Sequence, residues 1–204
     1  MRTIGHVIPP IIYIGVKYII RVTSLHQRMA HDNTPVITPE TWIISDTHFF
    51  HVNVGIYCNR PENWQELIIK NWNDRISPED TVLHLGDFSF GKRSNFDLLS
   101  ETLNGKMILI RGNHDRLSRT RYESSGVNIF NTPIQVVFGN ETRIIFSHRP
   151  IVPLEDGWIN LHGHIHNSPP PPEGSTLGPN HINMSIEVRD YQPWRLCEII
   201  DLSQ

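Results

Sequence analysis

The sequence predicts an α/β fold built on more than one β-sheet, and two observations carry that prediction. In the first half of the chain, short apolar runs alternate with amphipathic segments of helical periodicity. This alternation is typical of strands connected by helices. In the second half, strand-like apolar runs follow one another with no helical segment between them. The change of pattern indicates a second set of strands and therefore a second sheet.

Three apolar runs in the first half are predicted to be buried strands, over residues 42–45, 81–85 and 107–111. Two helices are predicted between them, over residues 61–76 and 95–103. Pro61 suits the first turn of the first helix, and Gly105 follows the second as a stop signal. The apolar stripe of the first helix is interpreted as core, and it consists of Trp64, Leu67, Ile68, Trp72 and Ile76.

The second half is predicted to begin with two strands, over residues 134–138 and 142–146, joined as a hairpin through Gly139-Asn140-Glu141. A short strand is predicted over residues 158–161. Residues 168–179 are rich in proline and glycine and are predicted to form a loop. The remaining strands are predicted over residues 181–188 and 194–200.

Length and composition are those of one globular domain. The chain has 204 residues and a formal net charge of −3, so no global basic field recruits nucleic acid, although a local basic patch remains open. Cys58 and Cys197 lie far apart and show no metal or redox spacing. They are compatible with a reducing compartment, and in the absence of a recognisable secretory signal we expect a cytoplasmic location.

Residues 1–40 differ from the rest and are interpreted as an N-terminal extension, followed by the main domain over residues 41–204. Residues 1–31 contain no acidic residue. Residues 7–22 are largely apolar, but prolines and basic residues interrupt them, so no membrane span is predicted. The extension is open to three interpretations: a targeting segment, an extra strand, or sequence upstream of the natural start.

Polar side chains follow five of the predicted strands at the point where each strand ends. Open α/β sheets bind ligands at the carboxyl ends of their strands. Residues i and i+2 of an extended segment also point to the same side, so each Asp-x-His or His-x-His pair can line one cluster. The candidate residues, strand by strand, are Asp46 and His48, then Asp87, then Asn113 and His114, then His148, then His164 and His166.

These residue types predict a metal site. Carboxylate, imidazole and amide oxygen without thiolate favour Mn²⁺, Fe or Zn²⁺ over soft ions. Each motif alone is also typical of a turn or a helix cap, but five at successive strand ends favour metal binding. Eight side chains are more than one metal ion can bind. Either some of them support the ligands without binding metal, or two ions are bound and share a bridging carboxylate.

Taken in order, the motifs resemble those of the calcineurin-like metallophosphoesterases, and in particular the small bacterial and phage members. The matching residues are Asp46/His48, Gly86-Asp87, Gly112-Asn113-His114-Asp115, His148 and Gly163-His164-Ile165-His166. The resemblance covers about residues 42–200. It implies an α/β fold of two packed mixed β-sheets flanked by helices, a four-layer sandwich. Those small members often have glycine where Phe50 stands.

The resemblance also implies a role for each residue. Two divalent metal ions per chain are expected, with Mn²⁺ favoured and Fe or Zn²⁺ as alternatives. His114 would face the scissile phosphate with Asp115 as its orienting partner, and Asp87 would bridge the ions. The first ion would be held by Asp46, His48, Asp87 and His166, and the second by Asp87, Asn113, His148 and His164.

The predicted function is hydrolysis of a small phosphodiester or phosphomonoester. A metal-bound hydroxide would attack phosphorus, and His114 would protonate the leaving oxygen. One alternative is a metal-dependent nuclease, and another is a non-catalytic interaction module. A nuclease would need a basic groove, for which the chain offers Lys92, Arg93, Arg116, Arg119 and Arg121. We interpret those five residues as a solvated face.

Three further residues, His51, Arg60 and Arg149, are candidates for contact with the substrate phosphate. The preferred interpretation of each is an ordinary surface or core polar residue. The sequence does not predict the oligomeric state.

Overall fold

The computed structural model describes residues 12–14, 18–22, 36–139, 142–169 and 176–200. Within them the strands, in chain order, are β1 (Ile12–Ile14), β2 (Tyr18–Val22), β3 (Trp42–Ile44), β4 (Thr81–His84), β5 (Lys106–Ile110), β6 (Asn128–Phe130), β7 (Ile134–Phe138), β8 (Thr142–Ser147), β9 (Trp158–His162), β10 (His181–Asn183) and β11 (Trp194–Arg195). The helices are α1 (Val52–Tyr57), α2 (Trp64–Arg75), α3 (Arg93–Thr102), α4 (Arg119–Ser124) and α5 (Leu196–Ile199), with a short 3₁₀ helix over Ile186–Val188.

The strands form two mixed sheets, as predicted. One has five strands in the order β11-β3-β4-β5-β6, in which β3 to β6 are parallel and β11 is antiparallel to β3. The other has six strands in the order β1-β2-β7-β8-β9-β10, in which β8, β9 and β10 are parallel to one another and the remaining neighbours are antiparallel. The parallel runs bring the carboxyl ends of several strands to a common edge.

Two layers of apolar side chains hold these elements together. The first lies between the two sheets, where Ile43 and Leu83 of the five-stranded sheet pack with Val136 and Phe146 of the six-stranded sheet. The second lies between the five-stranded sheet and the helices, and it includes the predicted stripe residues Trp64, Ile68, Trp72 and Ile76. The predicted fold class, two packed mixed sheets flanked by helices, is therefore confirmed.

Most predicted elements are present, and the differences have local causes. The strand predicted over residues 181–188 ends at Asn183, after which the chain turns into the 3₁₀ helix. The strand predicted over residues 194–200 is wrong beyond Arg195, because α5 follows. There the Glu198 carboxylate accepts a hydrogen bond from the Arg195 backbone N–H at 2.8 Å and so closes the first helical turn.

Some of the predictions fall partly outside the described residues. Strands β7 and β8 are antiparallel, as the predicted hairpin requires. Residues 140–141 of the hairpin turn lie outside the described residues. Residues 170–175 of the predicted loop also lie outside, as do residues 1–11, 15–17 and 23–35 of the extension. Within the extension, β1 and β2 form an antiparallel pair beside β7, which agrees with the extra-strand interpretation.

The boundary between the extension and the main domain stays a prediction. Ile37 already belongs to the layer between the sheets. Over the stretches of chain that the structure describes, no helix combines the length and the apolar character needed to cross a bilayer.

Candidate metal centre

The candidate residues meet at one edge of the two sheets, because each follows the carboxyl end of a parallel strand. Backbone hydrogen bonds join the strand ends directly. The Asp46 N–H donates to the Gly86 carbonyl at 3.0 Å, and the His48 N–H donates to the Asp87 carbonyl at 2.9 Å. On the six-stranded sheet, the Gly163 N–H donates to the His148 carbonyl at 2.9 Å. The polar side chains are thus fixed by main-chain contacts between neighbouring loops.

Two glycines allow these loops to approach each other closely. A Cβ atom at Gly112 would collide with the carboxylate and backbone nitrogen of Asp87. A Cβ atom at Gly163 would collide with the side chains of Ser45 and Asp46. Both positions therefore require glycine because of the contact that each makes with a candidate ligand.

Five candidate residues have a backbone conformation that side chains other than glycine rarely adopt. Such a conformation costs about 1–3 kcal/mol per residue and persists where the surrounding structure enforces it, often at functional sites. The residues, with their φ angles, are Asp46 at 57°, His48 at 51°, Asp87 at 56°, His164 at 71° and His166 at 49°. Phe50 also has a positive φ, of 66°, which is consistent with a position where glycine is common.

The first cluster of possible ligands, here called the inner group, consists of Asp46, His48 and His166. Asp46 is fully buried, and its Oδ2 atom accepts hydrogen bonds from the His164 backbone N–H at 2.9 Å and the Ser185 hydroxyl at 3.0 Å. Its Oδ1 atom lies 3.9 Å from His48 Nε2 and 4.0 Å from His166 Nε2. One oxygen is thus anchored and the other faces two imidazoles.

The second cluster, here called the outer group, consists of Asp87, His148 and His164. His148 Nδ1 lies 3.0 Å from the Leu85 carbonyl oxygen. A carbonyl oxygen can accept a hydrogen bond but cannot donate one. In the neutral ring the proton is therefore assigned to Nδ1, and Nε2 keeps its lone pair. That Nε2 atom lies 3.0 Å from Asn113 Oδ1, so two electron-pair donors face each other, as ligands of one ion do.

Asp87 lies between the two groups. Its Oδ2 atom is 3.4 Å from Nε2 of His48 and 3.4 Å from Nε2 of His148. Its Oδ1 atom accepts a hydrogen bond from the His114 backbone N–H at 2.7 Å. Oδ2 is therefore the oxygen that faces imidazoles of both groups.

The inner group has buried polar atoms with no hydrogen-bond partner, namely Asp46 Oδ1 and both ring nitrogens of His48. Leaving such atoms unsatisfied usually costs about 1–3 kcal/mol each. A divalent cation would satisfy Asp46 Oδ1 and one nitrogen of His48, and the carboxylate–imidazole donor set suits Mn²⁺, Fe or Zn²⁺. The residues present therefore fit the metal that the sequence predicts.

Burial sets the charge of two of the imidazoles, those of His48 and His164. Burial lowers the pKa of His48 to about 2 and that of His164 to about 4, so both rings are neutral at neutral pH. Neutral imidazole is the form that binds metal. Burial acts to raise the pKa of Asp87, but in the metal-free protein the protonated form of His148 outweighs burial through its hydrogen bond and its charge, and lowers that pKa below its ordinary value. Asp87 is consequently an ionised carboxylate.

His114 lies beside the inner group without belonging to it. Its half-buried ring lies 5.1 Å from the ring of His48 and 5.4 Å from that of His51, centroid to centroid, and its Nδ1 atom has no hydrogen-bond partner. The orienting role expected for Asp115 is wrong. The Asp115 carboxylate instead accepts hydrogen bonds from three backbone N–H groups, those of Asp87, Phe88 and Gly112.

The three residues considered for phosphate contact have different environments. Arg60 is buried, and all its hydrogen bonds go to the protein. His51 caps helix α1, where its Nδ1 accepts from the Val54 N–H at 3.2 Å. Arg149 is exposed, and its Nη2 lies 3.4 Å from Asn113 Oδ1. Arg149 is the one of the three whose guanidinium is open to solvent beside the centre.

The basic residues near the motifs have different environments. Arg119 pairs with Glu123 at 3.3 Å, and Arg121 pairs with Asp97. Lys92 and Arg116 line a cavity of about 140 Å³ beside His114, together with Phe90 and Leu117. Lys92, Arg93 and Arg116 are exposed, whereas Arg119 and Arg121 are partly buried. The interpretation as a solvated face therefore fits the first three residues best.

Sequence reasoning missed the residues that support the ligands. Glu187 contacts both His166 and Arg60. The sequence indicates its role only in that an acidic residue lies within an apolar run. His84 is also buried, and burial lowers its pKa to about 3. Its Nε2 lies 3.0 Å from the hydroxyl of Thr47, the residue between the inner-group ligands Asp46 and His48.

Comparison with known proteins agrees with this geometry. Residues 40–196 match the calcineurin-like phosphoesterase family. An uncharacterized protein of Methanocaldococcus jannaschii is 36% identical over 172 residues, which cover 79% of this chain and 89% of that protein. The gene 66 protein of Mycobacterium phage D29 is 30% identical over 159 residues, which cover 62% of this chain and 78% of that protein. A crystal structure of a protein of unknown function from Aquifex aeolicus superimposes with a TM-score of 0.58 and 25% identity, covering 78% of this chain and 96% of that one.

Proposed function

The chain belongs to the calcineurin-like phosphoesterase family, and from that membership and the geometry of the centre we propose that it is a metal-dependent phosphoric ester hydrolase with two divalent ions. The observation that carries the proposal is the position of Asp87. Its Oδ2 atom is equally close, at 3.4 Å, to an imidazole of the inner group and to one of the outer group. A shared carboxylate between two ligand clusters is the arrangement that a dinuclear centre needs.

The ligand sets expected from the family are compatible with this arrangement. Asp46, His48, Asp87 and His166 would hold one ion, and Asp87, Asn113, His148 and His164 would hold the other. When bound, divalent ions lower the pKa of a water molecule to generate a nucleophile, and they stabilise negative charge on phosphoryl oxygens. Mn²⁺ is the first candidate, with Fe or Zn²⁺ as alternatives, because the donors are oxygen and imidazole nitrogen.

His114 is proposed to donate a proton to the leaving oxygen. Its backbone N–H is tied to Asp87 Oδ1, which keeps its ring close to the bridging carboxylate. Its Nδ1 atom makes no hydrogen bond within the described part of the protein, so that nitrogen is not committed to a structural partner. The cavity of about 140 Å³ beside it offers room for the alcohol part of the ester.

The substrate proposed is a small phosphodiester or phosphomonoester. Nuclease activity remains the alternative, and the ion pairs of Arg119 and Arg121 weigh against a basic groove that would track a nucleic acid backbone. A non-catalytic module is the last candidate, because every ligand position and His114 are present in the sequence.

An activity screen tests the proposal. The protein is stripped of metal with a chelator, reloaded with Mn²⁺, Zn²⁺ or Fe²⁺, and assayed on bis-nitrophenyl phosphate, nitrophenyl phosphate and single- and double-stranded DNA. We expect no turnover of any substrate without metal and turnover of a nitrophenyl ester with it. Cleavage confined to DNA would favour the nuclease. No turnover with two ions bound would favour the module and contradict the proposal.

A further inference from the structure

Arg60 is a buried arginine whose guanidinium is used entirely inside the protein. Its side chain is 0% exposed. Its Nη2 donates to the Asp46 carbonyl at 2.7 Å, and its Nη1 donates to the Thr47 carbonyl at 2.8 Å. The guanidinium also lies over the ring of Trp64, at 4.6 Å from the ring centroid. Arg60 therefore holds the backbone of the loop that carries Asp46 and His48.

Glu187 is the counter-ion of Arg60 and is equally buried, with 2% of its side chain exposed. Its Oε1 atom accepts from Arg60 Nε at 2.9 Å and also pairs with Arg60 Nη2. A buried, unpaired guanidinium is strongly destabilising, so this ion pair is expected to keep one geometry.

The same Glu187 Oε1 atom lies 3.0 Å from Nδ1 of His166. Because a carboxylate only accepts, the proton of the neutral ring is assigned to Nδ1. Nε2 then keeps its lone pair, and it is the nitrogen that faces Asp46 Oδ1 at 4.0 Å. Carboxylates that bond the far nitrogen of a histidine ligand in this way fix the tautomer and orientation of the ring.

We infer that the Arg60–Glu187 pair is a positioning device that aligns the two separate parts of the inner group, the Asp46–His48 loop and His166. The inference rests on the proposed metal-binding function of that group. Arginine suits the task because its planar fork reaches two carbonyls and a carboxylate at once, which lysine cannot do. Neither residue reaches the reacting atoms, so both act through the ligands.

The outer group provides an internal control. His148 is oriented by the Leu85 carbonyl through its Nδ1, and the structure gives neither Arg60 nor Glu187 a hydrogen bond to that histidine. Loss of the pair should therefore weaken the binding of one ion and spare the other. A purely structural role would lower the stability of the fold without this selectivity.

The test is a titration of the metal-free protein with Co²⁺, followed by its visible absorption spectrum and by equilibrium dialysis. The variants are Glu187→Ala, Glu187→Gln and Arg60→Lys. Glu79→Ala is the matched control, since Glu79 forms an exposed pair with Lys106 at 2.6 Å. We expect the affinity for one of the two ions to fall by about 10–100-fold in Glu187→Ala, with the affinity for the other unchanged.

Glu187→Gln should recover part of that loss, because its amide oxygen still accepts from His166 Nδ1. The control should match the wild type. If Glu187→Ala does not fold, the double variant Arg60→Leu/Glu187→Leu removes both charges together, a change that a protein core often tolerates. This double variant should still weaken the binding of one ion and leave the binding of the other unchanged. Wild-type affinity for both ions in a folded variant, or equal weakening of both, would overturn the inference. A wild-type protein that binds fewer than two ions would instead contradict the proposed function.

Discussion

The inner and outer ligand groups contain the same residue types, yet the protein supports them differently. In the inner group Asp46 is held by the Ser185 hydroxyl, and His166 contacts the buried Glu187. In the outer group His148 contacts a backbone carbonyl, and Asn113, which lies beside that group, is exposed to solvent. The inner group thus depends on side chains far away in the sequence, whereas the outer group depends mainly on the course of the strands. Substitutions outside the ligands should therefore affect the inner group most.

The largest effect is expected where the two groups meet. Asp87→Ala removes the only carboxylate that faces imidazoles of both groups within the described residues. The metal occupancy of both sites should therefore fall, and turnover should fall to background. His148→Ala should release mainly one ion. Elemental analysis of dialysed protein measures both outcomes, and Asp74→Ala is a suitable control because Asp74 is exposed. Two full equivalents of metal in Asp87→Ala would contradict the bridging role.

A smaller effect is expected at His114, which belongs to neither group. General acid catalysis is typically worth about 10²–10⁴ in rate. His114→Ala should lose a factor in that range on an alkyl or nucleoside ester, because an alkoxide needs a proton to leave. It should lose clearly less on a nitrophenyl ester, whose leaving group is a stable anion. Steady-state rates measured on both esters test this difference, provided that the variant retains both metal ions. Equal losses would mean that His114 stabilises phosphoryl charge or positions the substrate.

The smallest effect on the centre is expected from the N-terminal residues, which supply no candidate ligand. A chain beginning at Val36 should fold and bind two ions. A chain beginning at Glu40 also loses Ile37, which is buried between the sheets. Ile37→Ala is therefore expected to lower the free energy of unfolding by about 2–5 kcal/mol, as measured by urea denaturation, with unchanged metal stoichiometry. If the chain beginning at Val36 is insoluble, strands β1 and β2 are part of the core.

Much of the fold could be predicted because burial leaves a local pattern. The stripe of Trp64, Ile68 and Trp72 marked helix α2, and the apolar runs marked the central strands. Helix α1 left no such pattern, because Val52, Ile56 and Tyr57 are exposed. The three-residue strand β6 is too short to show any periodicity.

The candidate ligands could be predicted for a different reason, since they follow strand ends in short recognisable motifs. The residues that position those ligands could not be predicted. Arg60 and Glu187 are 127 positions apart in the chain, and each alone has the appearance of an ordinary surface charge. Asp115 was misinterpreted because its neighbour in sequence is His114, whereas its carboxylate folds back onto backbone N–H groups. Adjacency in sequence did not predict contact between side chains.

The most direct test of the dinuclear centre is anomalous scattering from crystals of the manganese-loaded protein, collected on both sides of the manganese absorption edge. The proposed ligand sets predict two anomalous peaks per chain, one among Asp46, His48 and His166 and the other among Asn113, His148 and His164, with Asp87 between them. A single peak, or two peaks of which neither contacts Asp87, would contradict a centre bridged by that carboxylate.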